Sequence, residues 1–150
     1  MTQTTAETVL AGPPVDGQVY AEILQFYAHH MQLLDAGAAE EWADGFTEDG
    51  VFAQNVKPEP WSGRSTIATS MRRGVDRLAG RQVQRRHWFG MVAATAVDPD
   101  TVRSRYYAVV FETPRGGKAS VYLSTTGEDL LVRQDGGWRI QRRDIAHDGV

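Results

Sequence analysis

From Gln82 to His147 the chain runs through four long stretches in which apolar residues alternate with polar ones. Short turn segments separate them: Asp98-Pro99-Asp100, Pro114-Arg115-Gly116-Gly117 and Asp135-Gly136-Gly137. Alternation with period two marks a strand, and tight Gly- or Pro-containing turns join such strands as consecutive antiparallel hairpins. A sheet of this length twists strongly, and its concave face needs an apolar cover. Few folds meet both demands.

The cover lies upstream. Between Gln18 and Asp35, residues Val19, Ile23, Phe26, His30, Leu33 and Leu34 recur at helical spacing on one face. A second column, Tyr20, Leu24, Met31 and Asp35, runs along the edge of that face. Asp16 is placed to cap the helix start. Gly37 breaks the helix, and a short second helix follows from Ala38 to about Ala43. Thr47-Glu48-Asp49-Gly50 then turns the chain into a strand over Gly50–Val56. Pro58 and Pro60 force a loop, because each blocks helix at the residue before it. A third helix begins at Ser62 or Ser65, turns Ile67, Met71, Val75 and Leu78 inward and ends at Gly80. Helices segregated from an antiparallel sheet predict a two-layer α+β domain over residues 16–150, with a pocket between the first helix and the sheet. Residues 1–15, small and polar, read as a flexible arm.

Composition narrows the chemistry. The 150 residues carry a net charge of −3 and no cysteine. Disulfides, thiolate metal sites and cysteine nucleophiles are excluded, and a cytoplasmic location fits. The N-terminus lacks the basic start and apolar run of a signal peptide, and no stretch is long and apolar enough to span a membrane. The four histidines lack HxxxH spacing, so no zinc site is expected. Arg72, Arg73, Arg77, Arg81, Arg85 and Arg86 make a basic stretch in an acidic chain, which reads as a solvated face or a subunit contact, not a nucleic-acid site. Arg139, Arg142 and Arg143 read the same way.

Two residues carry possible catalysis. Asp35 ends the helix, where backbone carbonyls already concentrate negative potential, so a carboxylate there is either a solvated rim residue or one aimed into a pocket. His87 shares its strand parity with Arg85, Phe89 and Met91, and Trp88 lies on the opposite face. If His87 faces the concavity it meets Asp35 across the pocket. A carboxylate bonded to one imidazole nitrogen fixes the tautomer and leaves the other nitrogen to move protons. A structural histidine bonded to a backbone carbonyl fits the spacing equally well. His30 sits mid-face between Phe26 and Leu34, and a hydrogen-bonded core histidine is the favoured reading there. Trp61, on the proline loop, either closes a pocket mouth or packs on the surface. Asp129 shares parity with Val121, Leu123 and Leu131, as a second pocket carboxylate or a partner of Arg133.

The segments LLDAGAAEEWADGFTEDGVF, RRHWFG and DGGWRIQRRDI, in this order and spacing, resemble the SnoaL-like polyketide cyclases of the NTF2-like superfamily and, within it, scytalone dehydratase. The resemblance runs from about residue 17 to the end. It implies a cone-shaped α+β barrel, three N-terminal helices packed on a curved, mostly antiparallel sheet around a deep apolar pocket. It also implies that Asp35 and His87 work as an acid–base pair. The dehydratase pattern has a tyrosine where this chain has Leu34, another near Phe52 or Ala53, and a second histidine near Val110 or Phe111. These departures count against that dehydration and leave proton abstraction beside a carbonyl.

The expectation is a cofactor-independent cyclase or dehydratase for an aromatic or polyketide-like small molecule. Tyr27, His30, Phe52, Trp61, Met91, Tyr106 and Asp129 are its expected substrate contacts, and no metal is expected. The alternatives are a non-catalytic assembly subunit, as in ring-hydroxylating dioxygenases, and an isomerase or epoxide hydrolase. An outward Trp88 suggests a homodimer through the outer sheet face, with a trimer next.

Overall fold

A computed structural model describes residues 12–150. Helix α1 spans Gly17–Asp35, α2 Ala39–Ala43 and α3 Arg64–Gly80. Strands are β1 (Phe46–Gln54), β2 (Trp61–Ser62), β3 (Val83–Asp98), β4 (Thr101–Pro114), β5 (Ser120–Gln134) and β6 (Gly137–His147). They form one curved, unclosed sheet in the order β2-β1-β6-β5-β4-β3. Only β1 and β6 pair in parallel; the four long strands follow one another as antiparallel neighbours, as their turns require. The expected arm falls, for residues 1–11, outside the described residues. Pro13 to Val15 hydrogen-bond to the free edge of β3, through Val15 N–H to Ala94 O and Ala96 N–H to Pro13 O. No helix among the described residues is long and apolar enough to cross a membrane.

Helix α1 starts where Asp16 Oδ1 accepts the Val19 amide at 2.8 Å. It buries Ile23, Tyr27, His30, Met31 and Leu34 and packs Tyr20 against the core, while Leu24 of the expected second column is exposed. Gly37, at φ +82°, ends it in the left-handed region. Helix α3 starts without a side-chain cap, contrary to the serine expectation; the Arg64 guanidinium instead ties its first turn to the Phe46 carbonyl. The core between α1 and the sheet is aromatic, with Trp42, Phe46, Tyr27 and Tyr106 buried. Gly127 is required there, because a Cβ would collide with the Tyr106 ring.

Two bulges decide which side chains face inward. On β3, Gly90 pairs with Tyr107 but the next pair is Ala93 with Arg105, so β3 carries one extra residue. Met91 takes φ +53° there, and the parity flips: His87 and Phe89 face inward before it, Val92 and Ala94 after it. Met91 itself is 78% exposed, which corrects its expected place beside His87 in the pocket. On β6, Leu130 pairs with Arg142 and Leu131 with Ile140, leaving Gln141 as the extra residue. Trp138 and Ile140 point inward before that bulge. Beyond it Arg143, Ile145 and His147 line the interior.

Candidate active site

A cavity of about 830 Å³ lies between α1, α3 and the inner face of the sheet. That volume suits a small organic ligand, for which pockets of roughly 300–1,000 Å³ are usual. Met31, Leu34, Phe52, Trp61, Phe89 and Val110 supply apolar wall. Trp61 stacks on Phe52 with ring centroids 5.4 Å apart, so the loop aromatic packs at the cavity and not on the outer surface.

Asp35 and His87 meet in this wall. Asp35 Oδ1 lies 2.7 Å from His87 Nδ1, and Asp35 Oδ2 accepts the His87 backbone N–H at 3.1 Å. One carboxylate thus clasps both the ring and the main chain of the histidine. The two donors offset the unfavourable placement of a negative charge at a helix C-terminus. Gln84 donates to the Asp35 backbone oxygen at 2.9 Å, which ties the helix end to β3. The Asp35 side chain is only 8% exposed and that of His87 21%. Because the carboxylate can only accept, Nδ1 carries the proton, and Nε2 makes no hydrogen bond among the described residues. The group left free on the cavity side is a proton acceptor.

The other expected contacts separate into wall and core. Phe52 and Trp61 line the cavity; Tyr27, His30, Tyr106 and Asp129 do not. Asp129 is buried and pairs with Arg143, not Arg133. It accepts Arg143 Nε and Tyr106 Oη on Oδ1 at 3.0 Å each. On Oδ2 it accepts Tyr27 Oη at 2.8 Å and Arg143 Nη2 at 2.9 Å. Its lone pairs are filled, so it is no second pocket carboxylate. Burial, helped by the Asp129 charge, holds both tyrosine hydroxyls well above the usual phenol range, which keeps them donors.

His30 is a core residue. Its ring stacks between Phe26 and Trp42, and Nε2 bonds the Trp42 carbonyl at 2.7 Å. Burial, then the Arg143 charge, pushes its pKa well below 6.5. A histidine depressed on folding contributes full stability above its unfolded pKa and loses it as pH falls. Stability in urea is therefore expected to fall from pH 6.5 to pH 5 by up to about 2 kcal/mol, at ~1.4 kcal/mol per unit. His30→Gln should flatten that slope; an unchanged slope in the variant would assign it to other groups.

Sequence reasoning missed Arg143 and His147. Both lie beyond the β6 bulge, which nothing in the local sequence announces. Arg143 is 1% exposed, not solvated. His147 bonds Gln54 Oε1 through Nε2 at 2.8 Å at the far side of the cavity, in register with Thr125, Ala108 and Phe89. Among the described residues no three His, Asp or Glu side chains stand together to hold a metal ion.

A curved sheet wrapped on one long helix around a cavity defines the NTF2-like, cystatin-like class of α+β proteins. Within it the chain belongs to the SnoaL-like domain family, which matches residues 18–144. Aln2 from a Streptomyces species is 30% identical, over 91% of this chain and 95% of its own, with a TM-score of 0.84. ActVI-ORFA from Streptomyces coelicolor is 31% identical, over 89% and 99%, with a TM-score of 0.81. A protein from Catenulispora acidiphila, solved in complex with S-DNPA, is 36% identical over 89% and 96%, with a TM-score of 0.79. No curated protein sequence matches the chain. Membership of the family supports a cyclase- or dehydratase-type or ligand-binding role.

Proposed function

We propose that the protein is a cofactor-independent cyclase or dehydratase for an aromatic or polyketide-like ketone, with His87 as general base and acid and Asp35 as its orienting partner. The observation that carries this reading is the free Nε2 of a carboxylate-held histidine in the wall of a cavity that has apolar side chains beside it. Nε2 takes a proton from the carbon beside a carbonyl, and the electron pair moves onto the carbonyl oxygen. The enolate then attacks a second carbonyl to close a ring, and the imidazolium returns its proton to the new alkoxide. In the dehydrating branch the same proton goes to a departing hydroxyl, which leaves as water. Asp35 balances the imidazolium charge in either case. Leu34, Phe52 and Val110 stand where the dehydratase pattern has tyrosines and a histidine, which favours the cyclising branch. A Catenulispora neighbour solved in complex with S-DNPA supports reading this cavity as a ligand site.

Exchange of α-protons for deuterium in 2-acetylnaphthalene and 1-tetralone, followed by NMR, tests the proposal without knowing the natural substrate. The protein is expected to accelerate exchange, and His87→Ala to abolish the acceleration. Bound ketone that exchanges no faster than in buffer would sink the acid–base reading.

We also propose that two copies pair through the outer sheet face, where Trp88 (69% exposed), Met91, Tyr107 and Val121 stand uncovered. Sedimentation should give a dimer at micromolar concentration that Trp88→Asp weakens. A wild-type monomer there contradicts the pairing.

A further inference from the structure

The Asp129–Arg143 pair is balanced on one side only. A carboxylate offers about four acceptor positions, and Asp129 has all of them in use. A guanidinium carries five N–H groups. Arg143 gives one on Nε and one on Nη2 to Asp129, and the Tyr106 hydroxyl lies close enough to draw on the same guanidinium. The two bonds to Asp129 leave further N–H groups on Nη1 and Nη2, in a side chain only 2% exposed that lines the cavity. The rings of Phe89, Phe46, Tyr106 and Tyr27 surround the guanidinium at 5.3–5.9 Å. Burial opposes the charge, but Asp129 outweighs it, so the group stays a cation. Buried donors in native proteins find acceptors, and here the open side is the cavity.

We infer that Arg143 is the oxygen-binding residue at the floor of the cavity, donating from Nη1 to a carbonyl oxygen of the ligand. A purely structural ion pair accounts for the two bonds to Asp129 but not for a guanidinium that also lines the cavity. Phe89, whose ring lies 5.3 Å from the guanidinium, is two residues from His87 on the same inward row, roughly 7 Å along the strand. Arg143 and His87 therefore border the same space in front of Phe89. Where the acid–base reading holds, and this step rests on it, the oxygen held by Arg143 is the one that gains charge when His87 removes the α-proton. A fixed cation beside that oxygen favours the enolate. The binding role itself does not depend on catalysis. It specifies a ligand with a carbonyl at its buried end.

The test compares 2-acetylnaphthalene with 2-ethylnaphthalene, a ketone and a hydrocarbon of nearly one shape, by equilibrium dialysis. The wild-type protein is expected to bind the ketone at least about tenfold tighter, the gain of a charge-assisted hydrogen bond. Asp129→Asn with Arg143→Met removes both charges together and so strands neither; it should bring the ratio to about one. Equal wild-type affinities, or a ratio untouched by the double variant, would each overturn the inference. If the double variant fails to fold, the wild type decides alone through the infrared stretch of the 13C-labelled carbonyl. A bound frequency below that in water indicates donation from the guanidinium; one at or above it overturns the assignment. A protein that prefers the ketone yet exchanges none of its α-protons keeps this inference and loses the acid–base reading.

Discussion

His87→Ala and Asp35→Asn are each expected to lower turnover by roughly 10²–10⁴, the usual weight of one positioned acid–base group. The two substitutions act differently. Alanine removes the base itself, and small imidazoles added to the solution should restore part of the rate. Asparagine preserves the shape of Asp35 but turns its acceptor pair into one acceptor and one donor. An amide N–H facing Nδ1 would move the ring proton to Nε2 and so occupy the nitrogen that must accept. In both variants the loss should fall on kcat with KM little changed, because Phe52, Trp61, Val110 and the other apolar walls remain. Full activity in both variants would remove the dyad from the mechanism. A fall in melting temperature that tracks the fall in rate would reduce it to a structural tie between α1 and β3.

Asp129→Ala is expected to cost about 3–5 kcal/mol in chemical denaturation, the penalty of leaving a buried charge without its partner. Arg143 would keep its charge in a side chain only 2% exposed, and the Tyr27 and Tyr106 hydroxyls would lose their shared acceptor at the same time. The neighbouring pair Arg142–Asp144 makes bonds of similar length on the outer face, half-exposed. Removing it should cost less than about 1 kcal/mol, since water replaces what is lost. The contrast between two adjacent arginines on one strand is the measurement. A loss under about 1 kcal/mol for Asp129→Ala would mean that water reaches Arg143 freely and that the pair is not buried in solution.

The exposed rim arginines behave as their composition suggests: Arg72, for instance, spends its donors on Glu40 and Asp76. Arg143 does not, although it sits in the same kind of run, Arg142-Arg143-Asp144, as a solvated residue would. The difference is one inserted residue, Gln141. Met91 is the converse case, an apolar residue on the right parity that a bulge turns out to solvent.

The element order apart from the two-residue β2, which falls in the stretch read as a loop, the antiparallel run of β3 to β6, the cap at Asp16 and the break at Gly37 were legible in the chain as written. These depend on neighbours within a few residues, where alternation, turn chemistry and capping operate. The same local signals placed Asp35 at a helix end and His87 on the strand after the third helix, which made their meeting possible. That they do meet, that β1 pairs in parallel with β6, and that Arg143 faces the cavity are products of packing between distant segments. A strand's side chains alternate with a period of two, so a single extra residue exchanges its two faces. Where that residue goes is set by the partner strand and the curvature of the sheet, not by the amino acids on either side of it.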